Sequence, residues 1–187
     1  MEQEAEPQVE GELSRDLAII SDDSMRHELE TRGYGEVDKK RFYLRPFESL
    51  YLLFYGRLKL AKSGKAIGFE SMLQVARKYD DDVLTKFLIY RDLRIRGYVA
   101  KEGFGFGTDL RAYDRGRFGE KASKYVVFGL KEGTQEKIGA LQKKVAKITQ
   151  MGKEPIIAVI ERRGEVIYYK VSRIEFPPNK TAEPAVF

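Results

Sequence analysis

The chain has 187 residues, room for one domain or two small ones, and 42% of them are hydrophobic, which is enough for a packed core and argues against global disorder. It has no cysteine and a single histidine, His27, which excludes disulfides, cysteine-ligated metals and a multi-histidine metal site within one chain. Net charge is +5, but residues 81–187 hold 21 Lys/Arg against 14 Asp/Glu while residues 1–80 hold 13 against 15, so the basic excess lies in the second half.

Residues 1–12 carry five glutamates and read as a mobile acidic tail or a strand lead-in. Residues 13–20 are expected to form a first strand, and residues 21–41 a polar loop with a short helix. Arg45-Pro46-Phe47-Glu48 opens a helix through Tyr55, with Pro46 in the first turn, where a missing N–H costs nothing. Gly56 stops it. Residues 57–61 alternate polar and apolar, as a half-buried strand does, and Ser63-Gly64-Lys65 is a turn. A second helix is expected over residues 69–79, with Met72, Leu73, Val75 and Ala76 available for packing.

The second half opens with a helix over residues 83–96, closed by Gly97 in the left-handed cap position. Strands are expected at 98–101, 108–113 and 124–130. Thr134 is placed to cap a helix with Ile138, Leu141, Val145 and Ile148 on its apolar face and Lys137, Lys143, Lys144 and Lys147 toward solvent. Residues 155–160 form an apolar run of buried-strand length, Arg162-Arg163-Gly164 a turn, and residues 166–174 a last strand. The expected fold is α/β: a small N-terminal α/β domain over residues 1–82 and a C-terminal, nuclease-like mixed-sheet domain over 83–187. No apolar run approaches the roughly 20 residues of a membrane span, and no charged-then-apolar leader opens the chain. A cytoplasmic protein with no membrane partner is the expectation.

Three stretches carry chemistry. A strand ends on Tyr113, followed by Asp114-Arg115-Gly116. A basic loop then leads to Glu120-Lys121-Ala122-Ser123-Lys124-Tyr125. Lys153 stands just before the apolar run. Together they resemble the catalytic domain of the archaeal tRNA-splicing endonucleases (tRNA-intron lyases), and the resemblance spans roughly residues 42–174. It implies metal-independent, cofactor-free cleavage of precursor tRNA at a bulge-helix-bulge, leaving a 2′,3′-cyclic phosphate and a 5′-hydroxyl. Tyr113 matches the family tyrosine that takes the 2′-proton, and Lys153 the lysine that stabilises the phosphorane charge. A tyrosine is a poor base without cations beside it; Arg111, Arg115, Arg117 and Lys153 are the candidates.

Ala122 departs from the family. It stands where the resemblance places the general-acid histidine, and alanine has no proton to give. Two explanations stay open: an engineered inactive form, favoured by retention of Tyr113 and Lys153, or a natural non-catalytic subunit. A general RNA-binding module is a third reading. His27 lies in a charged segment and is not expected to substitute.

The resemblance also implies RNA contacts at Lys144 and at Arg173, the latter expected in the last strand. Lys39-Lys40-Arg41 is a further basic cluster, placed either to reach RNA from the first domain or only to solvate a loop. It implies four-subunit assembly through paired last strands and through an acidic loop that enters a partner's basic cleft. Here that loop reads Glu161-Arg162-Arg163-Gly164-Glu165, whose two arginines favour a distinct structural subunit in a heterotetramer over a homotetramer. Gly103-Phe104-Gly105-Phe106-Gly107 lacks the lysine and the context of a phosphate loop and reads as a tight turn between strands, with burial of its phenylalanines favoured over one of them stacking on a base.

Overall fold

The computed structural model describes residues 8–177 except 108, 132 and 134. The N-terminal half runs β1 (Val9–Ser14), β2 (Leu17–Ile20), α1 (Asp23–Thr31), β3 (Glu36–Asp38), β4 (Arg41–Leu44), α2 (Pro46–Phe54), β5 (Leu58–Lys62), β6 (Lys65–Ile67) and α3 (Phe69–Arg77). Its strands form one sheet in the order β3-β4-β2-β1-β5-β6, in which only β1 and β5 are parallel neighbours. The C-terminal half runs α4 (Val83–Ile95), β7 (Val99–Glu102), β8 (Asp109–Tyr113), β9 (Tyr125–Lys131), α5 (Ile138–Gln150), β10 (Glu154–Ile160) and β11 (Val166–Lys170). These strands form a second mixed sheet, β11-β10-β9-β8-β7, with β9 and β10 parallel across the α5 crossover.

Several elements differ from the sequence expectation. The single strand expected at 13–20 is a hairpin that starts earlier, with Ser14 opposite Leu17 and Arg15 turning the chain at φ 58°. Val9 and Leu13 are buried while the glutamates between them face outward, so a strand period of two lay inside the acidic stretch. Residues 1–7 of the expected tail, and the Thr134 cap, lie outside the described residues. The observed cap residue of α5 is Lys137. Residues 21–41 hold a full helix, whose Asp22 side chain accepts from the Met25 amide at 2.8 Å, and the β3–β4 hairpin. Lys39 and Lys40 both take positive φ in that hairpin's turn, so the basic cluster there is a tight, exposed bend.

One continuous core joins the two halves, centred on α2 against α4. Phe47 packs on Tyr90 at 5.0 Å between ring centroids, and Tyr51 meets Tyr90 edge-on at 5.4 Å. A charged bridge crosses the same boundary. Glu48 of α2 is fully buried and accepts from the amides of Gly35 (3.0 Å) and Arg45 (2.9 Å). Lys101 of β7, itself buried, reaches across to the Gly35 carbonyl and to Glu48 at 3.4 Å. Burial pushes the Lys101 amine below its ordinary value in spite of Glu48. Gly35 is obligatory here: its φ is 67°, and a Cβ would sit 2.1 Å from the Phe42 ring.

The second sheet is covered by α4 on one face and α5 on the other. Leu110, Ala112, Val127 and Ala158 belong to the core on the α4 side, while Val126 and Phe128 pack with Ile148 of α5. The α5 seam is narrower than its periodicity suggests. Val145 and Ile148 are buried, but Ile138 is 81% exposed. The last strand stops at Lys170, short of the expected 174, so Arg173 lies beyond the strand in irregular chain and pairs with Glu175.

Candidate active site

The strand directions bring the three chemical stretches to one end of the second sheet. β8 runs antiparallel to β9, so the end of β8 meets the start of β9. β10 runs parallel to β9, so its start lies there as well. The Lys124 amide donates to the Ala112 carbonyl at 3.0 Å, and the Glu154 amide donates to the Lys124 carbonyl at 2.9 Å. Tyr113, the Ala122-Ser123 segment and Lys153 each stand within two residues of that junction.

Lys153 is held tightly. Its ammonium donates to the Ser123 carbonyl at 2.6 Å and to the Ser123 hydroxyl at 2.9 Å, which fixes the cation next to Ala122. Ser123 is buried and Ala122 exposed, so a longer side chain at 122 would enter solvent rather than the core. Lys124 pairs with Asp114 at 3.4 Å, and the Tyr125 hydroxyl donates to the same carboxylate at 3.0 Å. These contacts tie both ends of the 114–124 loop together.

Tyr113 faces away from the α4 core, because its neighbour Ala112 points into that core and strand side chains alternate. Its ring meets Phe118 edge-on at 5.0 Å. Phe118 in turn lies under the Lys101 ammonium at 5.9 Å, and a Cβ at Gly33 would come 3.3 Å from it. The chain from Tyr113 through Phe118 therefore ends on the N-terminal half. Each cation expected beside Tyr113 also has another contact: the Arg111 guanidinium lies 5.9 Å from the Phe104 ring centroid and that of Arg115 5.1 Å from the Tyr98 ring centroid, Arg117 pairs with Glu120 at 3.0 Å, and Lys153 donates to Ser123.

The Gly-Phe turn closes the site on the α5 side. Asp109 is buried, and its carboxylate accepts from the amides of Phe104 (2.7 Å) and Phe106 (2.9 Å). Burial pushes the Asp109 carboxyl up from its ordinary value, and the two amides offset part of that. Asp109 is thus consumed in shaping the turn, and Asp114 in holding Lys124 and Tyr125.

This arrangement can be set beside known proteins. Residues 9–73 match the tRNA intron endonuclease N-terminal domain, and residues 83–168 match the tRNA intron endonuclease catalytic C-terminal domain. The chain is 31% identical over 169 residues to the tRNA-splicing endonuclease of Thermococcus onnurineus, covering 90% of this chain and 98% of the relative. It is 32% identical over 145 residues to that of Pyrococcus furiosus, covering 78% and 84%. The chain belongs to the tRNA intron endonuclease family.

The two residues expected from the sequence to contact RNA lie in different surroundings. Lys144 is half-buried rather than on the solvent face; it pairs with Glu136 at 3.0 Å and lies 5.6 Å from the Phe128 ring centroid. Arg173 lines an apolar groove of about 430 Å³ with Leu141, Val145 and Val171. His27 sits exposed on α1. Among the described residues no helix is long and apolar enough to cross a membrane.

Sequence reasoning missed Ser123, Phe118, Lys101 and Glu48. Ser123 lay inside the quoted motif without a role, and a signal for it was present. Phe118, Lys101 and Glu48 had none, because their meaning comes from contacts across more than fifty residues or from a loop's path.

Proposed function

We propose that the chain is a catalytic-type subunit of a cytoplasmic tRNA-intron endonuclease, acting on precursor tRNA at a bulge-helix-bulge without metal or cofactor. The observation that carries this reading is the meeting of Tyr113, Ala122-Ser123 and Lys153 at one end of the sheet. In the reaction the 2′-oxygen of the nucleotide before the cut attacks the adjacent phosphorus, and the bond from phosphorus to the 5′-oxygen breaks. Tyr113 takes the 2′-proton. Lys153, oriented by Ser123, faces the extra negative charge of the phosphorane-like transition state. The leaving 5′-oxygen needs a proton, and Ala122 has none to supply. This form is therefore impaired, since losing a general acid typically costs about 10²–10⁴-fold. We read residues 1–82 and 83–187 as its two domains, and Lys144 and Arg173 as RNA contacts.

A tRNA with two splice sites needs two centres at fixed spacing, hence an assembly. The outer edge of β11 suits pairing with a second copy or a homologue, because an unpaired strand edge exposes its N–H and C=O groups. The Glu161–Glu165 turn carries two arginines, which favours a distinct structural subunit in a heterotetramer. The second reading, a non-catalytic subunit supporting an active partner, rests on Ala122 itself.

The test is cleavage of a bulge-helix-bulge RNA in EDTA by this chain and by Ala122→His, each alone and with a candidate partner subunit. Cleavage by the histidine form, with a cyclic phosphate product, supports the catalytic reading. Absence of cleavage in every combination removes the assignment of Tyr113 and Lys153 and leaves the supporting role.

A further inference from the structure

The Gly103–Gly107 turn has no part in the reaction above, yet its two phenylalanines are treated differently. Phe106 packs inward against the Val126, Phe128 and Ile148 cluster. Phe104 stays 38% exposed at the site itself. The Lys153 ammonium lies 5.4 Å from the Phe104 ring centroid, and the Arg111 guanidinium 5.9 Å.

We propose that Phe104 is a nucleobase platform, on which an unpaired base of the RNA stacks while its phosphates meet Lys153 and Arg111. Placing that base beside the cleaved phosphate rests on the reading of Lys153 given above; the stacking itself does not.

Scattered exposed aromatics are ordinary on protein surfaces, but Phe104 differs in two respects. First, it is anchored. Its own amide donates to Asp109 at 2.7 Å, the Phe106 amide to the same carboxylate at 2.9 Å, and the Gly103 amide to the Asp109 carbonyl at 3.2 Å. Gly103 admits no side chain, since a Cβ would fall 1.9 Å from the Asp109 carboxylate. A turn backbone held this way loses little further freedom on binding, so more of the stacking energy appears as affinity. Second, it is surrounded by positive charge. Lys147 lies 5.3 Å from the Phe106 ring centroid, so cations flank the turn on the α5 side too. An apolar protein partner gains nothing from those cations, whereas a nucleotide uses both the π-face and the charge. Stacking also tolerates any base, which suits a substrate recognised by shape.

The experiment uses the full chain as it stands, because on the reading above a form lacking the general acid cleaves slowly compared with binding. A bulge-helix-bulge RNA with 2-aminopurine in one bulge position at a time reports binding by anisotropy and stacking by quenching. Phe104→Ala is expected to raise Kd about tenfold or more and to abolish quenching at one bulge position. Phe104→Trp is expected to retain both. The Kd ratio should hold as salt is raised, because stacking releases no counterions. Kd for Phe104→Ala within about twofold of the parent, or quenching that survives the loss of the ring, overturns the proposal. So does a variant whose only change is weaker assembly in sedimentation, which would assign the ring to a protein contact. The two proposals fail separately. If Ala122→His does not cleave but Phe104→Ala still binds weakly, the platform stands without the lyase. If Ala122→His cleaves and Phe104→Ala binds normally, the platform is wrong and the lyase stands.

Discussion

The Lys153 ammonium donates twice to one residue, Ser123, through the carbonyl at 2.6 Å and the hydroxyl at 2.9 Å, and so couples the start of β10 to the segment that carries position 122. A lysine stem is flexible, and a cation that must face one phosphate gains from being held by two acceptors. In the Ala122→His background, Lys153→Ala is expected to lower kcat by about 10²–10³-fold, the usual cost of removing one preorganised charge-stabilising group. Ser123→Ala is expected to have a smaller effect, because the carbonyl contact survives. Single-turnover cleavage assays decide this; an unchanged rate for Lys153→Ala removes its role.

Tyr113 is backed by Phe118, with 5.0 Å between ring centroids. In the same background Tyr113→Phe keeps the ring and loses the hydroxyl. It is expected to reduce kcat by about 10²–10⁴-fold with little change in RNA affinity. Phe118→Leu keeps bulk and loses the edge-on contact that positions the Tyr113 ring, so it should lower kcat less than Tyr113→Phe does. A Phe118→Leu rate identical to the parent's would show that the ring only fills space.

Lys101 and Glu48 form a buried ion pair between the halves of the molecule. Removing one partner leaves an uncompensated buried charge. Lys101→Met is therefore expected to destabilise by about 3–5 kcal/mol, and the double variant Lys101→Met with Glu48→Gln by less than the single. Urea unfolding of the parent, the two single variants and the double variant measures the coupling. Additive losses would mean that the pair is not a unit.

Glu36 gives a pH signature. Burial pushes its carboxyl up, but the Arg45 guanidinium 3.0 Å away and the Tyr43 hydroxyl at 3.0 Å pull it net below its ordinary value of 4.5. A depressed carboxylate contributes stability above about pH 4.5 and loses it as pH falls through the folded value. The stability gap between the parent and Glu36→Gln should therefore be larger near neutral pH than in acid. A gap that stays constant with pH would place the effect in packing instead.

Gly103 and Gly139 should respond in opposite directions to alanine. At Gly103 the new methyl meets the Asp109 carboxylate at 1.9 Å and its carbonyl at 2.7 Å, so a loss of about 1–3 kcal/mol is expected. At Gly139, in α5, it meets open space, and a gain of up to about 1 kcal/mol follows from helix propensity. Thermal unfolding compares them directly; a neutral Gly103→Ala would show that the turn relaxes freely.

The α/β class and helices α2 to α4 were legible in the sequence, because each rests on local signals: Pro46 in a first turn, Gly56 and Gly97 as stops, apolar residues at helical spacing. The quoted motif brings Tyr113, Ala122 and Lys153 forward as candidates from the sequence alone. The β1–β2 hairpin was hidden by glutamates on its outer face, and β11 ended early, leaving Arg173 outside the strand. Only the tertiary structure decided what surrounds the three residues. Ser123 under Lys153, Phe118 behind Tyr113, Asp109 inside the Gly-Phe turn and the Lys101–Glu48 bridge depend on strand pairing and on contacts between segments far apart in the chain. No local pattern encodes them, because a residue's type sets which bonds it can make, while the fold sets which partner is within reach.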